Sequence, residues 1–304
     1  MTKDFLQITD FTRDEAIELL KFCKQMKDGQ IAPKPLAGKT AACIFHKASL
    51  RTRISFEVGI RELGGDSLYI TDKEIELGVR ESIYDVANVM SRYVGLIMIR
   101  TFDHANVEQL AKYATVPVVN GLTDLTHPCQ VMGDIYTYFE KTGKFEDLTI
   151  AFLGDGNNMF NSFMNLACLF KLDLRLGTSP KTLPDQALYE KAQKAGVSRI
   201  QILHDPKEAV SDADIIYTDV WASMGQKHLA DEKAKLLKDF QVNKDLVALA
   251  KPGVMVMHCL PANRGQEITD EVIDGPNSVV FDEAENRLHI QKAIMATLLE
   301  KGNK

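Results

Sequence analysis

The sequence predicts an α/β protein with two doubly wound domains, each a parallel sheet flanked by helices. Two observations support this prediction. Short apolar segments alternate with longer amphipathic segments along the whole chain, as expected for strands buried beneath helices. The alternation restarts near residues 143–147, so two α/β halves of similar size follow one another. We therefore expect a first domain over residues 1–140 and a second over 141–283.

The elements of the first half follow from its apolar periodicity and its capping residues. Thr12 precedes Arg13, Asp14 and Glu15 and is a typical helix N-cap. The segment 71–82 is polar and contains a glycine, which predicts a loop. Helices are predicted over 5–28, after Ser49, and over 82–92, 104–114 and 128–142; strands are predicted over 41–46, 66–70, 95–100 and 116–120.

The second half begins with the strand LTIAFL, which runs into the glycine-containing turn GDG. A helix is predicted over 161–170 and a final helix over about 284–300. Further strands are predicted within the segments DLRLGTS, RIQILHD, DIIYTDV and VMVMHCL.

Composition excludes several classes of protein. The 304 residues are 45% hydrophobic and 26% charged, as in a globular protein, and the formal net charge of −6 argues against non-specific nucleic-acid binding. Five cysteines without a CxxC pair indicate reduced thiols and a cytoplasmic protein. The N-terminus lacks a signal-peptide pattern, and no apolar run approaches the length of a membrane span.

The stretch from Cys43 to Leu63 carries the first functional signal. Ser49 stands at an N-cap position, and Arg51 and Arg53 follow in the first helical turn. Cations are unfavourable there, because a helix N-terminus already carries partial positive charge. A bound anion would explain the two arginines in this turn. Its ligands would be the free backbone N–H groups, the hydroxyls of Ser49 and Thr52 and an arginine. The simpler alternative is a basic helix start exposed to solvent.

Other polar residues follow strands of the same half. Arg100 ends the strand GLIMIR, and His127 and Gln130 follow the strand that ends near Asn120. Carboxyl ends of parallel strands share one edge of the sheet, where ligands commonly bind. Each residue alone has a structural explanation, such as a salt bridge or a cap. Together they suit a planar anion that arginine contacts in bidentate fashion.

The second half has its own candidates. GDGNNM begins like a dinucleotide fingerprint, but Met159 replaces its third glycine and no acidic residue ends the next strand. Asn157 and Asn158 instead suit the α-carboxylate and α-amino groups of an amino acid. Asp219 ends a strand and suits an ammonium group. Cys259 also follows a strand, but no strong base is identifiable beside it, which argues against a covalent nucleophile.

Seven motifs in one order give the chain a resemblance to the aspartate/ornithine carbamoyltransferase family, and within it to the ornithine branch, over essentially its whole length. They are SLRTR at 49–53, RTF at 100–102, HPCQ at 127–130, GDGNN at 154–158, DVWASMG at 219–225, HCLP at 258–261 and FDEAENR at 281–287. The motifs SLRTR and HPCQ are similar to carbamoyltransferases in general, including the aspartate enzyme, whereas SMG with HCLP indicates ornithine.

The resemblance implies a fold, an assembly and two substrates. The C-terminal helix over 284–304 would pack back on the first domain, and the chain would form a homotrimer, sometimes further stacked. Carbamoyl phosphate and L-ornithine would be the substrates, with no cofactor and no metal. The implied carbamoyl-phosphate ligands are Ser49, Leu50, Arg51, Thr52, Arg100, His127, Gln130 and Arg287. The implied ornithine ligands are Asn158, Asp219, Ser223, Met224, Cys259 and Leu260. The implied catalytic residues are Arg51, Arg100, His127 and Cys259.

Departures from the family pattern concern three positions. Leu50 stands where threonine is common, so only a backbone N–H contact is expected there. Glu76 stands in the loop that a neighbouring subunit would supply, where glutamine is common, and an acidic side chain near a phosphate would be repulsive. Asn263 replaces a frequent histidine.

Three alternatives remain on the sequence alone. The chain could be a sister carbamoyltransferase that acts on putrescine, aspartate or N-acetylornithine, a nucleotide-binding oxidoreductase, or a non-catalytic regulatory relative. Asp219 with SMG argues against the first, Met159 against the second and the full set of site residues against the third.

Overall fold

The computed structural model describes residues 3–222 and 228–301. The chain forms two compact units, one of residues Met1–Tyr136 with Glu285–Lys304 and one of Thr137–Ala284. We call them unit 1 and unit 2. Their boundaries follow Tyr136 and Ala284, whereas the sequence predicted boundaries at 140/141 and 283/284.

Unit 1 is built on a parallel sheet of four strands in the order β2-β1-β3-β4. All residues of β3 and all but the first of β1 are buried, because these strands lie in the middle of the sheet. The strands are β1 (Thr40–Phe45), β2 (Asp66–Thr71), β3 (Leu96–Arg100) and β4 (Val118–Leu122). The helices are α1 (Arg13–Lys27), α2 (Leu50–Glu62), α3 (Asp72–Ile75), α4 (Ile83–Tyr93), α5 (His104–Tyr113) and α6 (Pro128–Thr142).

Unit 2 contains a parallel sheet of five strands in the order β7-β6-β5-β8-β9. The strands are β5 (Leu148–Leu153), β6 (Leu172–Gly177), β7 (Arg199–Leu203), β8 (Ile215–Thr218) and β9 (Met255–His258). The helices are α7 (Asn158–Ala167), α8 (Gln186–Ala195), α9 (Pro206–Val210), α10 (Ala230–Leu237), α11 (Lys244–Val247) and α12 (Asp270–Ile273). The last helix, α13 (Val280–Lys301), begins in unit 2 and belongs to unit 1 from Glu285 onward. The predicted fold class, with two parallel sheets flanked by helices, is confirmed.

Helix α2 begins where the sequence predicted. Ser49 is its N-cap and accepts a hydrogen bond from the Thr52 backbone N–H at 3.3 Å. Phe56, Ile60 and Leu63 are all buried, as their spacing predicted. Burying side chains of this size contributes about 1.5–3 kcal/mol each, so this face fixes the helix on the sheet.

Helix α13 packs on unit 1, which confirms the expected return of the C-terminal helix. The Lys292 ammonium lies 2.5 Å from the Glu62 carboxylate of α2. A Cβ added to Gly59 would lie 3.1 Å from Lys292 Cγ, so the absence of a side chain there permits the close approach of α2 and α13. The helix begins at Val280, four residues before the predicted start.

The predicted helix over 5–28 is wrong at its N-terminal end. Phe5 is extended and pairs with β4, since its N–H donates to the Val118 carbonyl and its carbonyl accepts from the Asn120 N–H. Thr12 and Glu15 form a capping box that starts α1 at Arg13. Pairing with the edge of the sheet therefore overrides helical periodicity before residue 13.

Two further predictions are corrected. The segment 71–82, predicted as a loop, contains the short helix α3, because Thr71 and Glu74 form a capping box at its start. Helix α7 begins at Asn158 instead of residue 161, because the Asn157 side chain accepts hydrogen bonds from the Met159 and Phe160 N–H groups.

Among the described residues, no helix combines the length and the apolar character needed to cross a membrane.

Candidate active site

The N-terminus of α2 presents two hydroxyls. Ser49 Oγ donates to Thr52 Oγ1 at 3.0 Å and also caps the helix. Thr52 is fully buried and sits in the first turn, where free backbone N–H groups and the helix dipole favour an anion. This end of the helix is therefore suited to bind a phosphate.

The Thr52 hydroxyl connects two distant arginines. Arg100 Nη1 donates to Thr52 Oγ1 at 3.2 Å, and Arg287 Nη2 donates to the same oxygen at 2.9 Å. Arg100 comes from the end of β3 and Arg287 from α13, and both side chains are buried. Two buried guanidinium groups this close repel each other, so an anion bound beside them would be strongly favoured.

His127 precedes α6 and is buried close to Arg100 and Arg287. Burial holds its pKa well below the ordinary range, and the positive charges of Arg287, Arg100 and Lys47 lower it further. The imidazole is therefore neutral at pH 7 and can donate one hydrogen bond without adding charge. A nearby Gln130 amide donates to Asp134 Oδ1 at 2.8 Å, which fixes its orientation.

Arg51 differs from its neighbour Arg53. Arg51 is half-buried, and its Nε is buried with no hydrogen-bond partner among the described residues. Arg53 Nε donates to Glu57 at 2.9 Å, and its guanidinium lies 3.9 Å from the centre of the Tyr69 ring. Arg51 therefore has an N–H donor that could bind a ligand, whereas the Arg53 guanidinium already contacts Glu57 and Tyr69. The Leu50 side chain is 71% exposed, so only its backbone suits a polar contact.

Sequence reasoning missed Lys47, which follows β1. It is buried, forms an ion pair with Asp124 and lies 4.4 Å from the centre of the Phe102 ring. Its charge also lowers the pKa of His127. The available signal was its place directly after a strand, beside the helix that follows Ser49.

In unit 2, Asp219 is the centre of a second group. Asn157 Nδ2 donates to Asp219 Oδ2 at 2.8 Å, and the Cys259 thiol donates to Asp219 Oδ1 at 3.0 Å. The structure therefore places a carboxylate beside Cys259, a partner that sequence reasoning did not find. Asn158, expected as a ligand, is half-buried at the first position of α7.

The segment that holds Cys259 is anchored by buried groups. His258 Nδ1 accepts from the Leu260 N–H at 2.9 Å, and His258 Nε2 lies 3.2 Å from Glu267 Oε1. The His258 N–H donates to Glu283, which also accepts from the Tyr217 hydroxyl. These bonds fix the backbone on both sides of the thiol.

A metal site is a further possibility for this group. Donor atoms of Asp219, His258 and Cys259 lie within 4.8 Å of one another. Both ring nitrogens of His258 already take part in hydrogen bonds, however. The three residues are therefore better suited to hold an amine through hydrogen bonds than to coordinate an ion.

The glycines of GDGNN have a structural role. A Cβ on Gly156 would lie 2.4 Å from the backbone nitrogen of Pro184, and one on Gly154 would lie 3.3 Å from the Trp221 ring. The turn is therefore wedged between two segments. Close packing explains these glycines, and no phosphate contact is needed to account for them.

Three expected site residues lie outside the two groups of contacts described above. Ser223 and Met224 lie outside the described residues. Glu76 is exposed at the end of α3 with a left-handed backbone (φ 47°).

Comparisons with known proteins divide the chain between two consecutive family models. The family model "Aspartate/ornithine carbamoyltransferase, carbamoyl-P binding domain" matches residues 3–140, and the model "Aspartate/ornithine carbamoyltransferase, Asp/Orn binding domain" matches residues 146–298. The ornithine carbamoyltransferase of Geobacter metallireducens is 49% identical over 99% of this chain and 100% of its own. That of Thermococcus kodakarensis is 51% identical over 98% and 96%.

Solved structures give the same result. The ornithine carbamoyltransferase of Pyrococcus furiosus matches with a TM-score of 0.91 and 49% identity over 96% of both chains. The anabolic enzyme of Campylobacter jejuni matches with a TM-score of 0.93 and 33% identity over 99% of this chain and 100% of its own. The chain belongs to the aspartate/ornithine carbamoyltransferase family.

Proposed function

We propose that the chain transfers the carbamoyl group of carbamoyl phosphate to the δ-amino group of L-ornithine, giving L-citrulline and phosphate. The observation that carries this proposal is the buried cluster of Thr52, Arg100, Arg287 and neutral His127, which is built for a carbonyl-bearing anion. About 50% identity to ornithine carbamoyltransferases along the whole chain supports ornithine as the second substrate.

In unit 1, the phosphate binds at the N-terminus of α2. Its ligands are the hydroxyls of Ser49 and Thr52, the Leu50 backbone N–H and the Arg51 guanidinium, because they combine the helix dipole with a cation. Arg287 reaches the same ligand from α13. Gln130, held by Asp134, contacts the carbamoyl group.

In unit 2, the ornithine ligands are Asn158, Asp219, Ser223, Met224, Cys259 and Leu260. Asp219 is fixed by Asn157 and by the Cys259 thiol, so its carboxylate is oriented before a substrate amine arrives. Cys259 and Leu260 contact the δ-amino end of ornithine. The negative charge of Asp219 beside the thiol disfavours a thiolate, so Cys259 acts as a polar contact and not as a covalent nucleophile.

The attacking δ-amine must be neutral, because a protonated nitrogen has no free electron pair. A free alkyl amine has a pKa of about 10.4 and is mostly protonated at pH 7, so the site lowers this pKa by desolvation and nearby cations, or binds ornithine with its δ-amine already neutral. Attack on the carbonyl carbon creates a tetrahedral oxyanion. Thr52, Arg100 and His127 are its hydrogen-bond donors, and a neutral His127 can donate throughout the reaction. Arg51 stabilises the phosphate as it leaves, and the phosphate accepts the proton of the amine.

The assembly is part of the proposal. A homotrimer, or a multiple of trimers, in the cytoplasm would bring the loop with Glu76 to a neighbouring site. Multi-angle light scattering of the purified chain tests this, and a stable monomer would contradict it.

The decisive experiment replaces Arg51 and uses Arg53 as its control. Arg51→Gly should lower kcat for citrulline formation by about 10³-fold or more, because it removes the cation that stabilises the departing phosphate. Arg53→Gly should stay within a few-fold of wild type, since that side chain binds Glu57 and Tyr69. An Arg51 variant that changed only the KM for ornithine would refute the assignment, and a substrate panel with putrescine, aspartate and N-acetylornithine tests the acceptor.

A further inference from the structure

A buried ion pair lies next to the ornithine half of the site. Lys233 Nζ of α10 is 2.6 Å from Asp155 Oδ2 in the GDGNN turn, and each side chain is 11% exposed. Burying two charges is costly, and apolar residues of similar volume often give equal stability. Stability alone therefore does not account for this pair.

The pair is linked to Asp219 through the backbone of the turn. The Asp155 carbonyl accepts from the Asn157 N–H at 2.7 Å, and Asn157 Nδ2 donates to Asp219 Oδ2. Asp219 in turn accepts from Cys259. Because Gly156 is packed tightly against Pro184, the turn has little freedom to adjust if one of these contacts is lost.

The ion pair also determines which carboxylate near the site keeps an uncompensated negative charge. Burial raises the pKa of Asp155, the ion pair with Lys233 lowers it, and the negative charge of Asp219 raises it further, so the two carboxylates are close enough to repel. Lys233 compensates Asp155 directly. Asp219 is then the carboxylate that stays available to a substrate ammonium.

We infer that Lys233 is a positioning residue for ornithine: by binding Asp155 it fixes the turn that orients Asn157 and Asp219, and it leaves the Asp219 charge for the substrate. This inference rests on the proposed function. It assigns Lys233 no contact with either substrate.

The test compares the two Michaelis constants. Lys233→Met should raise the KM for ornithine about tenfold or more and leave the KM for carbamoyl phosphate within about twofold, because unit 1 contains the ligands for the latter. Lys233→Arg should recover most of the ornithine affinity. The double variant Asp155→Asn/Lys233→Met should bind ornithine better than Lys233→Met alone, since no buried unpaired carboxylate remains to displace the turn that orients Asn157 and Asp219.

Lys251→Met is the matched control. Lys251 pairs with Asp214 at 2.7 Å in the same unit but takes no part in the network around Asp219. It should leave both constants within about twofold of wild type.

Two results would overturn the inference: an ornithine KM unchanged in Lys233→Met, or a double variant no better than that single variant. If Lys233→Met does not fold, Asp155→Asn tests the same ion pair by removing its carboxylate. It leaves an uncompensated ammonium that repels the substrate cation, and an unchanged ornithine KM in this variant would likewise overturn the inference.

Failure of the proposed function is recognised separately. A wild-type chain that forms no citrulline refutes that function. Calorimetric titration of the same variants with ornithine in the presence of inorganic phosphate then still measures the effect of Lys233 on ornithine binding.

Discussion

Burial determines the protonation of His127 at the scale of single residues. Its imidazole is neutral because it lies away from water among Arg100, Arg287 and Lys47. In the unfolded chain the same group has a pKa of about 6.5. The folded pKa is lower than the unfolded one, so the unfolded state binds the extra proton as the pH falls.

The pH dependence of stability follows from this difference. We expect the free energy of unfolding to keep the His127 contribution above pH 6.5 or so and to lose it as the pH falls below that value. His127→Asn should make urea unfolding less sensitive to pH between about 7.5 and 5.5 than it is in wild type. A substitution of the exposed His228 serves as the control. Equal slopes for wild type and His127→Asn would contradict the expectation.

Single residues of the site were predictable where they follow a strand or start a helix. Ser49, Arg100 and His127 stand at such positions, and the alternation of strands and helices brings them to one edge of the sheet. Partners such as Asp134 and Lys233 were not predictable. Their importance arises from tertiary contacts, and such contacts leave no local pattern in the sequence.

At the scale of elements, the start of α2 combines stability with ligand geometry. Ser49 both caps the helix and donates to Thr52. Ser49→Ala should lower the free energy of unfolding by about 1 kcal/mol and also raise the KM for carbamoyl phosphate.

Ser82→Ala is the matched control for this variant. Ser82 caps α4 and accepts from the Asp85 N–H at 3.0 Å, away from the α2 terminus. It should cost similar stability in urea unfolding without changing that KM. A Ser49 variant that behaved like the Ser82 variant in both measurements would show that Ser49 only caps.

Strands were predicted better than helix starts. Buried strands such as β3 and β5 are continuous apolar runs that few other structures produce. The starts of α1, α3 and α7 depend on side-chain caps and on the pairing of Phe5 with β4. Caps are short signals that compete with periodicity, and backbone pairing with a distant strand has no sequence signature.

At the scale of the whole molecule, unit 1 is assembled from both ends of the chain. Its C-terminal contribution is the part of α13 from Glu285 onward. Five large apolar residues of this part of the helix are buried: Ile290, Ile294, Met295, Leu298 and Leu299. Arg287 on the same helix reaches Thr52.

Truncation after Ala284 should therefore remove the Arg287 side chain and also destabilise unit 1. We expect the shortened chain to lose cooperative urea unfolding of unit 1, because its core and α2 lose the apolar face of α13. Arg287→Met removes the guanidinium but keeps the helix, and it should unfold cooperatively. A truncated chain that unfolded like Arg287→Met would contradict this role of α13.

The division of unit 1 between the two ends of the chain also sets an order of events during synthesis on the ribosome. Most of unit 1 emerges first, yet its part of α13, from Glu285 onward, is made only after the whole of unit 2. At about 5–20 residues per second, unit 1 must wait on the order of ten seconds for α13. During this interval the surface that α13 will cover is open to water, to chaperones and to other nascent chains. The first-made unit is thus the last to be completed.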